Sequence, residues 1–254
     1  MFEEIDWIIV PGGPGISREY LEMPLSFLTD NYKFHFYDPL GTYENNSKKD
    51  INISELVEQI FSFANEKGLK KFGLISHSFG TYLSIKAYQI KPELIQAMLF
   101  LNPMPTRYEE WKMSLNKIIN RVPDIFKDKI SQLMSKCDDD MGVALFKAIF
   151  PFYSNSKHVM LPDIKFNNKM CDYLSSQVEE YNHISSIEKL ECPYVCIVGE
   201  KDPFYYPDMF PEDNTIVIEG VGHYPFYEDQ EKFNDSIKTT EKLLCLKKKI
   251  MKIA

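Results

Sequence analysis

No stretch of this 254-residue sequence approaches the roughly 18 to 20 consecutive apolar residues needed to span a bilayer. The nearest approach, LIQAMLFL at 94–101, has the length of a strand. Cysteine is scarce and odd in number, with five residues and no framework spacing. Cys192 and Cys196 lie four apart in a run that reads as a strand, too far apart along it to share a metal easily. Reduced thiols in the cytoplasm are the expectation. Cationic charge is in deficit: 29 lysines and arginines face 37 acids, a net charge of -8. That balance argues against nucleic acid as the main partner, because phosphates call for a cationic surface, and it favours solubility. The opening MFEEIDW carries no cationic segment, so no secretory signal is expected. The tail LKKKIMKIA is cationic and reads as a solvated end rather than a membrane-binding helix. Internal repeats, low-complexity tracts and linkers are missing as well.

What is present is an ordinary globular composition, 44% hydrophobic and 26% charged. One domain with its own core, needing neither disulfide nor metal, is the default at this length. Short apolar runs at Ile5–Val10, Lys33–Tyr37, Phe72–Ser76, Ala97–Leu101, Tyr194–Val198 and Thr215–Ile218 read as buried strands. Their continuous hydrophobicity suits a parallel sheet covered on both faces. Helical patterns alternate with them. Ser54–Lys67 puts Leu56, Val57, Ile60, Phe61 and Ala64 on one stripe, with Ser54 as N-cap and Gly68 as stop, and Thr81–Ile90 follows. The alternation predicts an α/β fold, a mostly parallel sheet of about six strands with helices on both faces. It breaks once, between Pro103 and Ile187, where the patterns are helical only. An inserted helical cap at 103–187 is therefore expected, with core at 1–102 and 188–254.

The chemistry-bearing stretch is Ser76-His77-Ser78-Phe79-Gly80. A nucleophile on a sharp strand-to-helix turn needs small residues two places to either side, because both pass close to neighbouring backbone. Gly80 satisfies this, and Ser76, standing where a glycine is usual, is small enough. By itself such a pentad is a weak signal. A serine nucleophile also requires a histidine base oriented by a carboxylate, and in this arrangement the acid precedes the histidine. VCIVGEKDPF ends one apolar run with Asp202, and TIVIEGVGHYPF ends the next with His223, 21 residues later. His223 is the only histidine after Asp202. Glu200 is the local alternative acid, whereas the end of the fourth strand carries Asn102 rather than a carboxylate. His35 reads as a packed core residue, and His158 and His183 as ordinary surface residues of the cap. Pro11-Gly12-Gly13-Pro14-Gly15 forms a tight turn after the first strand. The Gly13 N–H there, with the Phe79 N–H after the serine, can make an oxyanion hole. A dinucleotide loop does not fit, since Arg18 stands where a third glycine belongs, and no Gly-Lys-Ser/Thr follows.

With these residues in place the chain resembles an α/β-hydrolase, nearest the proline iminopeptidase-type branch, from Trp7 to about Leu244 outside the cap. That branch carries His-Gly-Gly-Pro-Gly at the first loop, where this chain has Pro11 for the histidine. It also carries Asp-Gln-x-Gly-x-Gly-x-Ser after the second strand. Asp38-Pro39-Leu40-Gly41-Thr42-Tyr43-Glu44-Asn45 keeps only Asp38 and Gly41 of that pattern. Strands usually precede the glycine turn in the branch, and only ten residues precede it here. The expected function is a serine hydrolase that cleaves an ester or amide of a small molecule or short peptide through an acyl-enzyme on Ser78. It uses no metal or organic cofactor. An aminopeptidase, an acyltransferase (if the cap keeps water out) and a non-catalytic binding protein of the same fold stay open as alternatives. The aromatics and acids of the cap, among them Tyr108, Trp111, Phe150 and Tyr153, form no pattern that names a substrate.

Overall fold

The computed structural model describes residues 4–28, 32–42, 45, 51–135, 139–155 and 164–251. Six strands form one parallel sheet: β1 (Asp6–Val10), β2 (Lys33–Phe36), β3 (Phe72–Ser78), β4 (Ile95–Pro103), β5 (Tyr194–Gly199) and β6 (Thr215–Ile218). Their order across the sheet is β2-β1-β3-β4-β5-β6, and every neighbouring pair is parallel. The continuous apolar runs have the cause expected of them. Ile8 and Val10 of β1 point into the core on one face and Trp7 and Ile9 into the core on the other. Period-two alternation thus feeds two apolar layers, which leaves no polar face to write into the sequence.

Helices α1 (Glu19–Leu25), α2 (Ile53–Glu66) and α3 (Phe79–Ile90) follow the first three strands, and α10 (Gln230–Met251) ends the described chain. Helices α2 and α3 pack on one face through Leu56, Ile60, Tyr82 and Leu83. Helices α1 and α10 pack on the other through Tyr20, Leu21, Phe233 and Ile237. Between β4 and β5 the chain forms α4 (Tyr108–Arg121), α5 (Asp124–Ser135), α6 (Asp139–Tyr153), α7 (Asn168–Ser176) and α8 (Ile184–Glu188). A short α9 (Pro225–Glu228) follows β6. No helix among the described residues is long and apolar enough to cross a membrane.

Several local readings are corrected. Helix α2 is capped by Asn52 rather than Ser54. The Asn52 side chain accepts from the Glu55 N–H at 3.0 Å while Glu55 accepts from the Asn52 N–H at 2.9 Å, a reciprocal capping box. His35 is not a core residue. β2 is an edge strand, and the half-exposed His35 ring pairs with Asp6 at 2.9 Å. His183 is not on the surface: its ring is buried against Tyr82 and Tyr181. His158 lies outside the described residues.

Candidate active site

Strand β3 runs straight into α3, and Ser78 sits at the join with φ 51° and ψ -122°. Positive φ is strained for a residue with a Cβ, and such strain persists only where surrounding structure enforces it. The enforcement is visible at Gly80, where any Cβ would collide with the carbonyl oxygens of Val10 and Pro11. Ser76, two places before, is fully buried within β3. Ser78 is the last residue of β3, beyond a shift in its register with β4, and it is half-buried, unlike the buried residues of β3 before it.

Asp202 follows β5 and His223 follows β6, so both stand at the carboxyl edge of the sheet with Ser78. Asp202 Oδ2 lies 2.8 Å from His223 Nδ1, and both side chains are buried. The carboxylate is further held by Asn102 Nδ2, which donates to Oδ2 at 2.7 Å, and by the Phe204 N–H, which donates to Oδ1 at 2.9 Å. Asn102 itself takes φ 41°, a conformation asparagine tolerates better than most residues, and donates also to the Gly222 carbonyl at 3.0 Å. An ionised carboxylate can only accept, so Asp202 Oδ2 accepts a hydrogen bond from a proton kept on His223 Nδ1, which leaves Nε2 as the imidazole's lone-pair nitrogen. The His223 N–H donates to the Tyr153 carbonyl at 3.0 Å, fixing the ring's backbone from the end of α6. Phe204, Tyr153 and Tyr224 pack around the imidazole with ring centres 4.9, 5.8 and 5.1 Å away.

The glycine turn closes the other side. A Cβ added to Gly12 would stand 3.0 Å from Ser78 Cβ, so this turn rests directly on the elbow. Gly13 has φ 115°, which glycine alone adopts without penalty. Its N–H has no protein acceptor among the described residues. The Phe79 N–H is the first of α3, and a helix's first N–H groups lack partners within the helix. Ser78, Gly13 and Phe79 are thus gathered on one side, and Asp202 and His223 are paired on the other. The Ser78 side chain makes no hydrogen bond to His223 in this geometry. The link between the two halves runs through His77, whose Nε2 lies 3.1 Å from the His223 carbonyl oxygen.

Glu200 is turned away, its exposed carboxylate accepting from the Gly220 N–H at 3.0 Å and from Lys201 at 3.0 Å. Burial pushes the thiols of Cys171 and Cys192 up to about 12, so neither is a thiolate nucleophile at neutral pH. Among the described residues no three His, Cys, Asp or Glu side chains come together as a metal site. A small recess beside the turn is lined by Pro11, Gly12, Leu40, Phe79, Leu83 and Leu174, among others, and carries no charged residue. Two participants escaped the sequence reading: Asn102 as a donor to Asp202, and Tyr20, whose hydroxyl lies within the glycine turn.

This sheet order and the strand-to-helix elbow define the α/β-hydrolase fold, and the family described as alpha/beta hydrolase fold matches residues 8–133. The chain belongs to the α/β-hydrolase superfamily. Within it, the sequence is similar to a Mycoplasma pneumoniae protein classed as an esterase/lipase, 26% identical over 226 residues, covering 84% of this chain and 77% of that one. It is also similar to the proline iminopeptidase of Heyndrickxia coagulans, 19% identical over 251 residues, covering 89% of this chain and 86% of the relative. The fold matches the crystal structure of a Mycobacterium smegmatis proline iminopeptidase at a TM-score of 0.67 and 15% identity, covering 97% of this chain and 92% of that one. The protein is accordingly a hydrolase of this type.

Proposed function

We propose that the protein is a serine hydrolase in which Ser78 is the nucleophile, His223 the base, Asp202 the orienting acid, and the Gly13 and Phe79 N–H groups the oxyanion hole. The observation that carries this reading is the strained Ser78 elbow at the same sheet edge as the buried Asp202–His223 pair. Ser78 Oγ attacks the substrate carbonyl carbon as His223 Nε2 takes its proton, and the tetrahedral oxyanion is held by the two N–H groups. His223 then gives the proton to the leaving alcohol or amine, and an acyl-enzyme remains on Ser78. Water, deprotonated by the same nitrogen, attacks the acyl carbon and releases the acid. The Asp202 carboxylate stays ionised throughout and stabilises the imidazolium. The Ser78–His223 hydrogen bond forms when substrate is bound, since such bonds are often long before then.

The segment 103–187 acts as a cap over the site, with Tyr153 of α6 against His223 and Leu174 of α7 in the apolar recess. Among the described residues the recess beside the oxyanion donors is lined by apolar side chains and glycines, which favours a short apolar acyl group and an ester. A panel of short acyl p-nitrophenyl esters, run with the parent and with Ser78→Ala, tests the assignment. The parent turns over at least one ester, and Ser78→Ala lowers kcat by about 10⁴-fold or more with the fold retained. Turnover by Ser78→Ala within tenfold of the parent would overturn it.

A further inference from the structure

Behind the elbow lies a chain of buried hydrogen bonds for which the reaction described above has no need. The Gly12 N–H donates to the Tyr20 hydroxyl at 2.5 Å. That hydroxyl lies 3.0 Å from His77 Nδ1, and His77 Nε2 lies 3.1 Å from the carbonyl oxygen of His223. The direction of every bond is settled by the two ends. An amide N–H can only donate, so the Tyr20 oxygen accepts there and has its own proton to give to His77 Nδ1. A carbonyl can only accept, so His77 must carry its proton on Nε2. One tautomer, neutral and protonated on Nε2, satisfies all four groups. A protonated ring would present two donors and break the bond from Tyr20. Burial, and then the neighbouring His223, hold the His77 pKa well below the ordinary histidine value, in keeping with that neutral form.

The three bonds join the pieces that must act together. Gly12 precedes the oxyanion residue Gly13, His77 precedes Ser78, and the carbonyl is that of His223 itself. We propose that Tyr20 and His77 form a positioning relay that fixes the oxyanion turn, the nucleophile and the base relative to one another. This inference rests on the serine-hydrolase reading of the site. The His77 ring also packs beside the His223 imidazole, with ring centres 4.8 Å apart. The relay acts through the backbone of Gly12 and His223 and through this ring contact, and a misplacement of about 1 Å in such a site can cost some 10²-fold in rate.

The test combines a spectroscopic and a kinetic arm. Nitrogen-15 NMR of the histidine-labelled parent, with the His77 signals assigned by their loss in His77→Gln, reads the tautomer whether or not a substrate is known. Protonation on Nε2 alone is expected at neutral pH, and protonation on Nδ1 would overturn the relay. In the kinetic arm Tyr20→Phe lowers kcat about 10- to 100-fold while KM stays within about threefold. His77→Gln, whose amide nitrogen can still donate to the His223 carbonyl, keeps about ten times the kcat of His77→Leu. A Tyr20→Phe kcat within twofold of the parent, or equal losses in the two His77 variants, would overturn the proposal. Retained turnover in Ser78→Ala would instead strike the serine reading, and the tautomer measurement would still decide the relay.

Discussion

At Asp202 both carboxylate oxygens face N–H donors: the Phe204 amide on one, Asn102 and His223 on the other. An asparagine there must present its NH2 to at least one of these donors, whichever way it turns, so it cannot reproduce the arrangement. Asp202→Asn is therefore expected to lower kcat/KM by about 10³- to 10⁴-fold, through loss of the correct His223 tautomer. Glu200→Gln should leave the rate within about twofold, because an exposed ion pair contributes little. Rates for both variants on one ester decide the matter, and a larger loss at Glu200 would reassign the acid. The order of Ser78, Asp202 and His223 along the chain is what singles these residues out as the proposed triad, since each closes an apolar run. Tyr20 carried no such mark. Its partner His77 is 57 residues away, and no local pattern records a hydrogen bond across that distance.

Among the elements, α2 shows how close a local reading can come and still miss. Asn52 and Ser54 are both favoured cap residues, and the deciding feature is Glu55, three places after Asn52, which completes the reciprocal pair. At α8 the failure is of a different kind. His183 stands in the polar stretch Tyr181-Asn182-His183-Ile184-Ser185, yet Tyr82 of α3 and Tyr181 enclose its ring, with centres 5.3 and 4.9 Å away. Tertiary packing decided its burial, which no periodicity of five residues could show. Burial, with a smaller contribution from Lys86, lowers its pKa from 6.5 to about 4. The unfolded chain thus binds a proton that the folded chain refuses between those values. Stability contributed here is fully present above pH 6.5 and falls as the pH drops towards 4, by about 3 kcal/mol in all. Urea unfolding midpoints of the parent and His183→Gln across that range check this. The variant should show the shallower decline towards acid, and identical slopes would contradict the prediction.

For the whole molecule, the parallel sheet was legible because the four central strands are apolar on both faces, and the helical stretch between β4 and β5 because the strand pattern lapses there. The seating of the loops at the carboxyl edge was not legible, since it depends on contacts such as Gly12 against Ser78. Those loops bear on substrate choice. The Asp38 carboxylate, kept from the iminopeptidase loop pattern, is buried and accepts from the Arg18 N–H at 3.0 Å. Its carbonyl accepts from Asn45 and Gln59, at 2.5 and 2.9 Å, so the residue serves to tie its own loop to α1 and α2. Pro39 and Leu40 then present apolar surface to the recess. A short acyl ester is accordingly expected to exceed a prolyl arylamide of matched size in kcat/KM, although proline iminopeptidases are among the chain's relatives. An arylamide value equal to or above the ester value would place the protein with the aminopeptidases.

The central claim is that the fold activates one serine as a nucleophile, and covalent labelling addresses it without knowledge of the substrate. A fluorophosphonate reacts with a hydroxyl that has a base and an oxyanion hole beside it, and binding alone does not supply that reactivity. The intact protein should gain a single phosphonyl group, located by peptide mass spectrometry on Ser78. His223→Ala should remove the labelling although its serine is still present. Labelling at another residue, or a protein that stays unlabelled while folded, would contradict the account.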